Sequence, residues 1–262
     1  MAQMFASVLG YEALMGRWST KLAPLFLDFS ELRDEGRLLD VGCGTGALSG
    51  CITSRTERAQ VTGIDISESF VDYCRSTVLN PRVDFEQADA CALPFTNETF
   101  DQTFSLLVVM FIPQPERAAE EMRRVTRPGG TVAACTWDRQ GLELNSIFWQ
   151  EAERLDPAAK FRIERPLHSN RPGQLEHLWR SVGLRDVVEA PLEMQMIFES
   201  FDDFWGPFLL GAGPQGAYVT DLSADQRDAL RAALRDRLMP DQRDRAIRLR
   251  AGALAVRGRV PT

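Results

Sequence analysis

The stretch Leu38-Leu39-Asp40-Val41-Gly42-Cys43-Gly44-Thr45-Gly46 decides the fold. Arg37 to Val41 is a short apolar run of the kind that makes a buried strand. Ala47, Leu48, Cys51 and Ile52 then recur at helical spacing. Between them, Gly42, Gly44 and Gly46 let the backbone turn sharply with no side chain in the way. A strand that ends in such a turn and feeds a helix offers a ligand its main-chain N–H groups and a helix N-terminus. The pattern Gly42-x-Gly44-x-x-Ala47 also fits a dinucleotide fingerprint, which makes a nicotinamide-dependent oxidoreductase one alternative. Asp40 inside the motif, and Gly46 one place early, weigh against it.

Further βα units follow at once. Gln60 to Asp65 reads as a second strand. Ser67 stands at the N-cap of the next helix, whose inner face is Phe70, Val71, Cys74 and Val78. Asp65 therefore ends a strand 19 residues beyond Gly46. Open α/β sheets place there the acid that grips ribose hydroxyls, because a carboxylate accepts two hydrogen bonds from a vicinal diol. Val83 to Asp89 alternates as a third strand, and Phe100 to Phe111 covers a fourth and its exit. Pro115 opens a helix with Ala118, Ala119, Met122 and Val125 inside. Its basic end, Arg123, Arg124 and Arg127, reads as a solvated face. Thr131 to Trp137 is a fifth strand.

Four signals stand in register: LLDVGCGTG, Asp65, the tract Asp89-Ala90-Cys91-Ala92-Leu93-Pro94-Phe95, and the turn Arg127-Pro128-Gly129-Gly130. Together they resemble the class I (Rossmann-like) S-adenosylmethionine-dependent methyltransferases, in the small-molecule, ubiquinone/menaquinone-biosynthesis-like type 11 branch. The resemblance implies an α/β fold with a doubly wound, mostly parallel seven-stranded sheet of order 3-2-1-4-5-7-6. The last strand is antiparallel, and a helical cap is inserted. It implies S-adenosylmethionine as donor and S-adenosylhomocysteine as product. The implied cofactor contacts are Asp40, Gly42, Cys43, Gly44 and Gly46 in the loop, Asp65 on the ribose and Ile66 on the adenine face. Asp89 and the Ala90 N–H would face the adenine edge, with Ser105 and Leu106 past the fourth strand. The lead-in Tyr11, Gly16-Arg17-Trp18 resembles a segment that closes over the donor in that branch, which adds Tyr11, Arg17 and Trp18. A surface arm packing Trp18 on the core is the other reading.

The expected organisation is a single domain over 1–262. Residues 1–35 form an N-terminal helical lid, 36–199 a Rossmann-like core, 200–245 a helical cap insertion and 246–258 the final strand of the sheet. Ser223-x-x-Gln226 is a capping box opening a helix in the cap. The cap's apolar residues read as a substrate lid or a homodimer contact. Met110, Phe111 and Trp137, with Phe204, Trp205 and Phe208, are the expected pocket for a small, apolar or aromatic acceptor. A core position for Trp137 is an equal alternative. No general base stands out, and His168 is the one candidate for a catalytic role.

Composition narrows the function classes. The net charge is −7 and no long basic run appears, which disfavours nucleic acid as a partner. Five scattered cysteines without a C-x-x-C pair, and two histidines, speak against a metal site and a disulfide framework. A reducing, cytoplasmic setting is the simplest expectation. No signal peptide and no membrane-spanning run is read from the sequence. No carboxylate cluster suggests a magnesium site. The Asn/Asp-Pro-Pro-Tyr/Phe tract of amino-methylating nucleic-acid enzymes is absent. A noncatalytic module that only binds the cofactor or a metabolite is the alternative from a different class.

Overall fold

The computed structural model describes residues 8–160 and 169–262. Seven strands form one sheet: β1 (Glu35–Val41), β2 (Arg58–Asp65), β3 (Val83–Gln87), β4 (Phe100–Leu106), β5 (Thr126–Leu142), β6 (Arg185–Phe198) and β7 (Ile247–Arg259). Their order is β3-β2-β1-β4-β5-β7-β6. The pairs β1–β2, β1–β4, β2–β3 and β4–β5 are parallel. Strand β7 is antiparallel to β5: Val260 exchanges main-chain hydrogen bonds with Gly129 and Gly130, whereas Gly252 lies against Gly141. This is the doubly wound order that the resemblance implies. The chain leaves β1 toward β2 and β3, then returns to the other side of β1 with β4. Ligands of open α/β sheets bind at such a reversal, outside the carboxyl ends of the strands.

Strand β4 shows why the sheet centre tolerates polar residues. Every residue from Phe100 to Leu106 is buried. Each of its polar side chains has a defined partner, as burial demands. Gln102 Oε1 accepts from the Arg33 N–H at 2.8 Å and its Nε2 donates to the Glu31 carbonyl at 3.0 Å. Thr103 bonds Thr126 at 2.7 Å, and Ser105 Oγ donates to the Val41 carbonyl at 2.9 Å. Asp101 accepts from the Arg37 N–H and pairs with Arg127.

The helices are α1 (Val8–Tyr11), α2 (Arg17–Phe29), α3 (Ala47–Arg55), α4 (Glu68–Thr77), α5 (Pro115–Val125), α6 (Glu143–Leu155), α7 (Gln174–Ser181), α8 (Phe201–Trp205), α9 (Gly213–Asp221) and α10 (Ala224–Leu238). Two local readings need correction. The spacing places a helix start near Ser19 or Thr20, with Pro24 in its first turn. The helix instead starts at Arg17, after a π-turn over Glu12–Gly16, so Pro24 lies in its interior. A proline there removes one helical hydrogen bond. Trp18, Leu22, Ala23, Phe26 and Leu27, all buried on this helix, offset the loss. The second correction concerns Arg127-Pro128-Gly129-Gly130. These residues belong to β5 as an irregularity: the β4–β5 register jumps from Phe100–Thr126 to Gln102–Thr131. A Cβ at Gly130 would stand 2.7 Å from the Asp101 carbonyl oxygen, so only glycine fits.

The described residues divide into two compact units. One holds 16–139, 169–192 and 253–262, with a core that includes Leu39, Phe100, Met122, Val132, Trp179 and Val256. Trp179 is fully buried and its indole N–H donates to the Val132 carbonyl at 2.9 Å. The other unit holds 8–15, 140–160 and 193–252. Its interior is aromatic: Phe148 packs on Trp149, Phe208 and Tyr218, and Phe204 on Phe198, Phe201 and Phe208. Gln215 is buried there and bonds Asn145. The Ser223/Gln226 capping box forms at the start of α10. No described helix is long and apolar enough to cross a membrane.

Candidate functional site

The glycine loop between β1 and α3 has three positive φ angles: +76° at Gly42, +53° at Gly44 and +85° at Gly46. The three differ in what lies in front of them. A Cβ at Gly42 would meet Val108 at 2.5 Å, and one at Gly46 would meet Val78 at 2.8 Å. A Cβ at Gly44 would meet nothing within 4 Å. Gly42 and Gly46 therefore serve packing, and Gly44 faces open space. Gly44→Ala is expected to fold and to lose about 1–2 kcal/mol from the left-handed backbone alone. Gly42→Ala loses more, because its methyl also collides with Val108. Thermal melts of the two variants check this order.

The loop's N–H groups are not the free donors that the sequence suggests. Gly42 and Cys43 donate to the Ile64 carbonyl, at 2.7 and 2.8 Å, and Gly46 donates to the Cys43 carbonyl at 2.8 Å. Gly44 donates to Asp65 Oδ2 at 3.0 Å. A pyrophosphate held as in dinucleotide enzymes needs such groups unspent. The Asp65 carboxylate is fixed at both oxygens, because Oδ1 accepts from the Ser67 N–H at 2.9 Å. Ser67 thus caps α4 by position alone; its side chain makes no cap bond. Each Asp65 oxygen keeps a second lone pair. Burial pushes the Asp65 pKa up, while the Ser67, Gly44 and Ile66 N–H groups pull it back.

Asp40 is buried beneath the loop. Its Oδ2 accepts from Ser49 Oγ at 2.7 Å, and its Oδ1 has no partner among the described residues. Burial pushes its pKa up to about 7, against the pull of the Ser49 bonds. The thiols of Cys43 and Cys74 are both free, and the hydrogen bond between them, followed by burial, pushes the Cys43 thiol's pKa up. Asp89 folds back on itself: Oδ1 accepts from the Cys91 N–H at 2.8 Å and its carbonyl from the Ala92 N–H at 2.9 Å. Ile66 is 49% exposed. Ser105 and Leu106 are buried, and the Ser105 hydroxyl is spent stapling β4 to β1. Leu107 follows with φ +64°, a conformation costly for a leucine and typical of functional edges. Met110 and Trp137 are buried and Phe111 is half-buried.

The acids and the glycine loop stand at the carboxyl ends of the adjacent strands β3, β2 and β1, Ser105 and Leu106 close β4, and Trp137 lies inside β5. Arg17 and Trp18 begin α2, with the guanidinium 4.4 Å from the Trp18 ring centroid, and Trp18 is fully buried. Tyr11 lies half-buried on α1 in the other unit. In that unit Phe204, Trp205 and Phe208 are buried among each other's rings. His168 lies outside the described residues. Among the described residues no group of metal-ligating side chains assembles. Ser49 is the contact that the sequence pattern conceals: it lies on the buried face of α3, and its hydroxyl donates to Asp40.

The arrangement fits a nucleoside ligand without a pyrophosphate: open space before Gly44, a fixed carboxylate for a diol and a buried unpaired oxygen on Asp40. Residues 39–134 match the family described as Methyltransferase domain. A phosphatidylethanolamine N-methyltransferase of Cereibacter sphaeroides is 41% identical over 101 residues, 37% of this chain and 48% of that one. A malonyl-[acyl-carrier protein] O-methyltransferase of Erwinia pyrifoliae is 36% identical over 126 residues, 48% of this chain and 46% of that one. The chain thus spans about half the length of these curated relatives. A crystal structure of a putative methyltransferase from Bacillus halodurans superposes with a TM-score of 0.61, at 15% identity, over 92% of this chain and 99% of that one. That likeness shows the fold. Residues 39–134 thus match the methyltransferase domain family, on a sheet whose strand order is that of the Rossmann-like methyltransferase fold.

Proposed function

We propose that this chain transfers a methyl group from S-adenosylmethionine to a small-molecule acceptor. The observation that carries the reading is Asp65, fixed by two main-chain donors, facing a loop whose middle glycine opens on empty space. In this reading Asp65 holds the ribose diol, Ile66 covers the adenine face, and Asp89 with the Ala90 N–H meets the adenine edge. Asp40, Gly42, Cys43, Gly44 and Gly46 shape the seat of the methionine part. Ser105 and Leu106 back it, and Arg17 and Trp18, at the start of α2, belong to its lid. Met110, Phe111 and Trp137 wall the acceptor side. We place the protein in the cytoplasm, where its free cysteines stay reduced.

The donor brings a methyl already activated on a sulfonium. What this chain must add is alignment of donor and acceptor, which by itself supplies several kcal/mol of the barrier. The names of the two relatives print different acceptors, a phosphatidylethanolamine nitrogen and a malonyl oxygen. Likeness to these relatives therefore fixes no single acceptor for this chain.

Thermal unfolding with S-adenosylhomocysteine, S-adenosylmethionine and NAD tests the reading. A ligand at 100 times its dissociation constant adds about 2.7 kcal/mol, a shift of several degrees. The first two ligands are expected to shift the midpoint and NAD is not. A shift with NAD alone would reverse the assignment. Labelled donor with a panel of amines, phenols and activated carbon acids then separates enzyme from binding module. Binding without transfer to any acceptor would favour the module.

A further inference from the structure

One face of α5 is given over to a segment of main chain. Arg117, Glu121 and Arg124 are spaced i, i+4 and i+7, so they share that face. Beside them runs the irregular segment 88–99, which follows β3 and carries Asp89 and Ala90. Arg117 Nε donates to the Cys91 carbonyl at 3.2 Å. Arg124 Nη2 donates to the Leu93 carbonyl at 3.0 Å, and its Nη1 to the Phe95 carbonyl at 2.7 Å and to Asn97 Oδ1 at 3.0 Å. Three alternate carbonyls are thus held by two guanidinium groups. Between them, Glu121 Oε2 accepts from the Leu93 N–H at 2.8 Å. Glu121 and Arg124 lock each other in a fork, at 2.7 and 2.8 Å.

Burial of the segment does not need this row. Leu93 is already inside the core, and Ala88, Ala90 and Phe95 pack against it. The row sets the direction of the main chain instead. Its first anchor, Cys91, is the residue whose N–H fixes the Asp89 carboxylate. We propose that Arg117, Glu121 and Arg124 are positioning residues that set nucleobase selectivity, by aiming Asp89 and the Ala90 N–H at the edge of the adenine. The proposal rests on the cofactor reading above.

Calorimetric titration with S-adenosylhomocysteine and its 6-oxo analogue, S-inosylhomocysteine, tests it. The wild type is expected to prefer the 6-amino ligand. Lysine has no planar fork to serve two carbonyls. Arg124→Lys is therefore expected to weaken S-adenosylhomocysteine about tenfold, the loss of one charge-assisted bond's worth of positioning. The 6-oxo analogue should change much less, so the preference collapses. Arg117→Ala, at an exposed residue remote from the core, is expected to move the preference the same way by a smaller factor and guards against misfolding. Equal weakening of both ligands, no change in either, or a wild type without preference would overturn the proposal. A wild type that binds neither ligand would overturn the cofactor reading and this proposal together.

Discussion

Replacing Asp65 with alanine is expected to weaken S-adenosylhomocysteine binding at least about 100-fold, the loss of two charge-assisted hydrogen bonds of 1.5–3 kcal/mol each. The sharper variant is Asp65→Asn, which keeps the shape. Both Asp65 oxygens already accept a main-chain N–H, from Gly44 and from Ser67. An asparagine has one oxygen and one NH2 group, so whichever way it turns, its NH2 faces a donor. The variant must therefore turn away from the diol or break the turn that seats it. Asparagine is expected to rescue nothing, and calorimetry with S-adenosylhomocysteine reads this directly. An Asp65→Asn protein with wild-type affinity would show that the carboxylate is a turn residue and that the ribose is held elsewhere. The ligand-free melting point separates the two effects. Loss of the Gly44 and Ser67 bonds lowers it, whereas loss of the diol contacts does not.

The sheet was legible because its signals are local and periodic. Glycines at 42, 44 and 46, an acid at the end of each of the next two strands, and apolar runs at strand length locate the carboxyl edge without knowledge of any contact. What was not legible has one physical cause: a side chain's spacing gives its face but not what covers that face. Arg117, Glu121 and Arg124 have the spacing of a solvated, charge-paired helix surface, and that is how the basic end of α5 reads. Only the fold brings the carbonyls of 91, 93 and 95 against them. Ser49 fails for the converse reason. The apolar residues of α3 point to Leu48 and Ile52 as its inner face, and Ser49 and Thr53 share that face. A small hydroxyl residue carries no signal that it is buried for a carboxylate on the neighbouring strand. The loop N–H groups were misread because a glycine pattern shows where the backbone can turn, and not which carbonyls it meets after turning. The apolar cap stands between these cases. Phe204, Trp205 and Phe208 are aromatic enough to line a pocket, and their rings are buried in the interior of their own unit.

Asp40→Asn is expected to make the ligand-free protein more stable, and increasingly so as pH rises. Burial without a second partner for Oδ1 holds the folded pKa at about 7, against an ordinary value of 3.8. Between these two values the folded state keeps a proton that the unfolded chain has released. The folded state then binds more protons, so this group's contribution to stability falls as pH rises and is level above pH 7. From pH 5 to pH 8 the loss is about 3 kcal/mol, two pK units at 1.36 kcal/mol each. Asparagine keeps an oxygen for Ser49 and has no proton to lose. The difference in melting point between variant and wild type should therefore grow across that window, by roughly 5–10 °C at 2–4 °C per kcal/mol. A difference that stays constant with pH would show that Asp40 does not titrate there. A protein has reason to keep so costly a carboxylate where a ligand satisfies it, since strain of this kind collects at functional sites. The same variant is accordingly expected to bind S-adenosylhomocysteine more weakly at pH 8, where the wild-type carboxylate is charged. The two proteins should converge toward pH 5, where both are neutral at this position. A variant that gains stability and keeps full affinity at pH 8 would make Asp40 a buried acid with Ser49 as its one partner, and would remove it from the site.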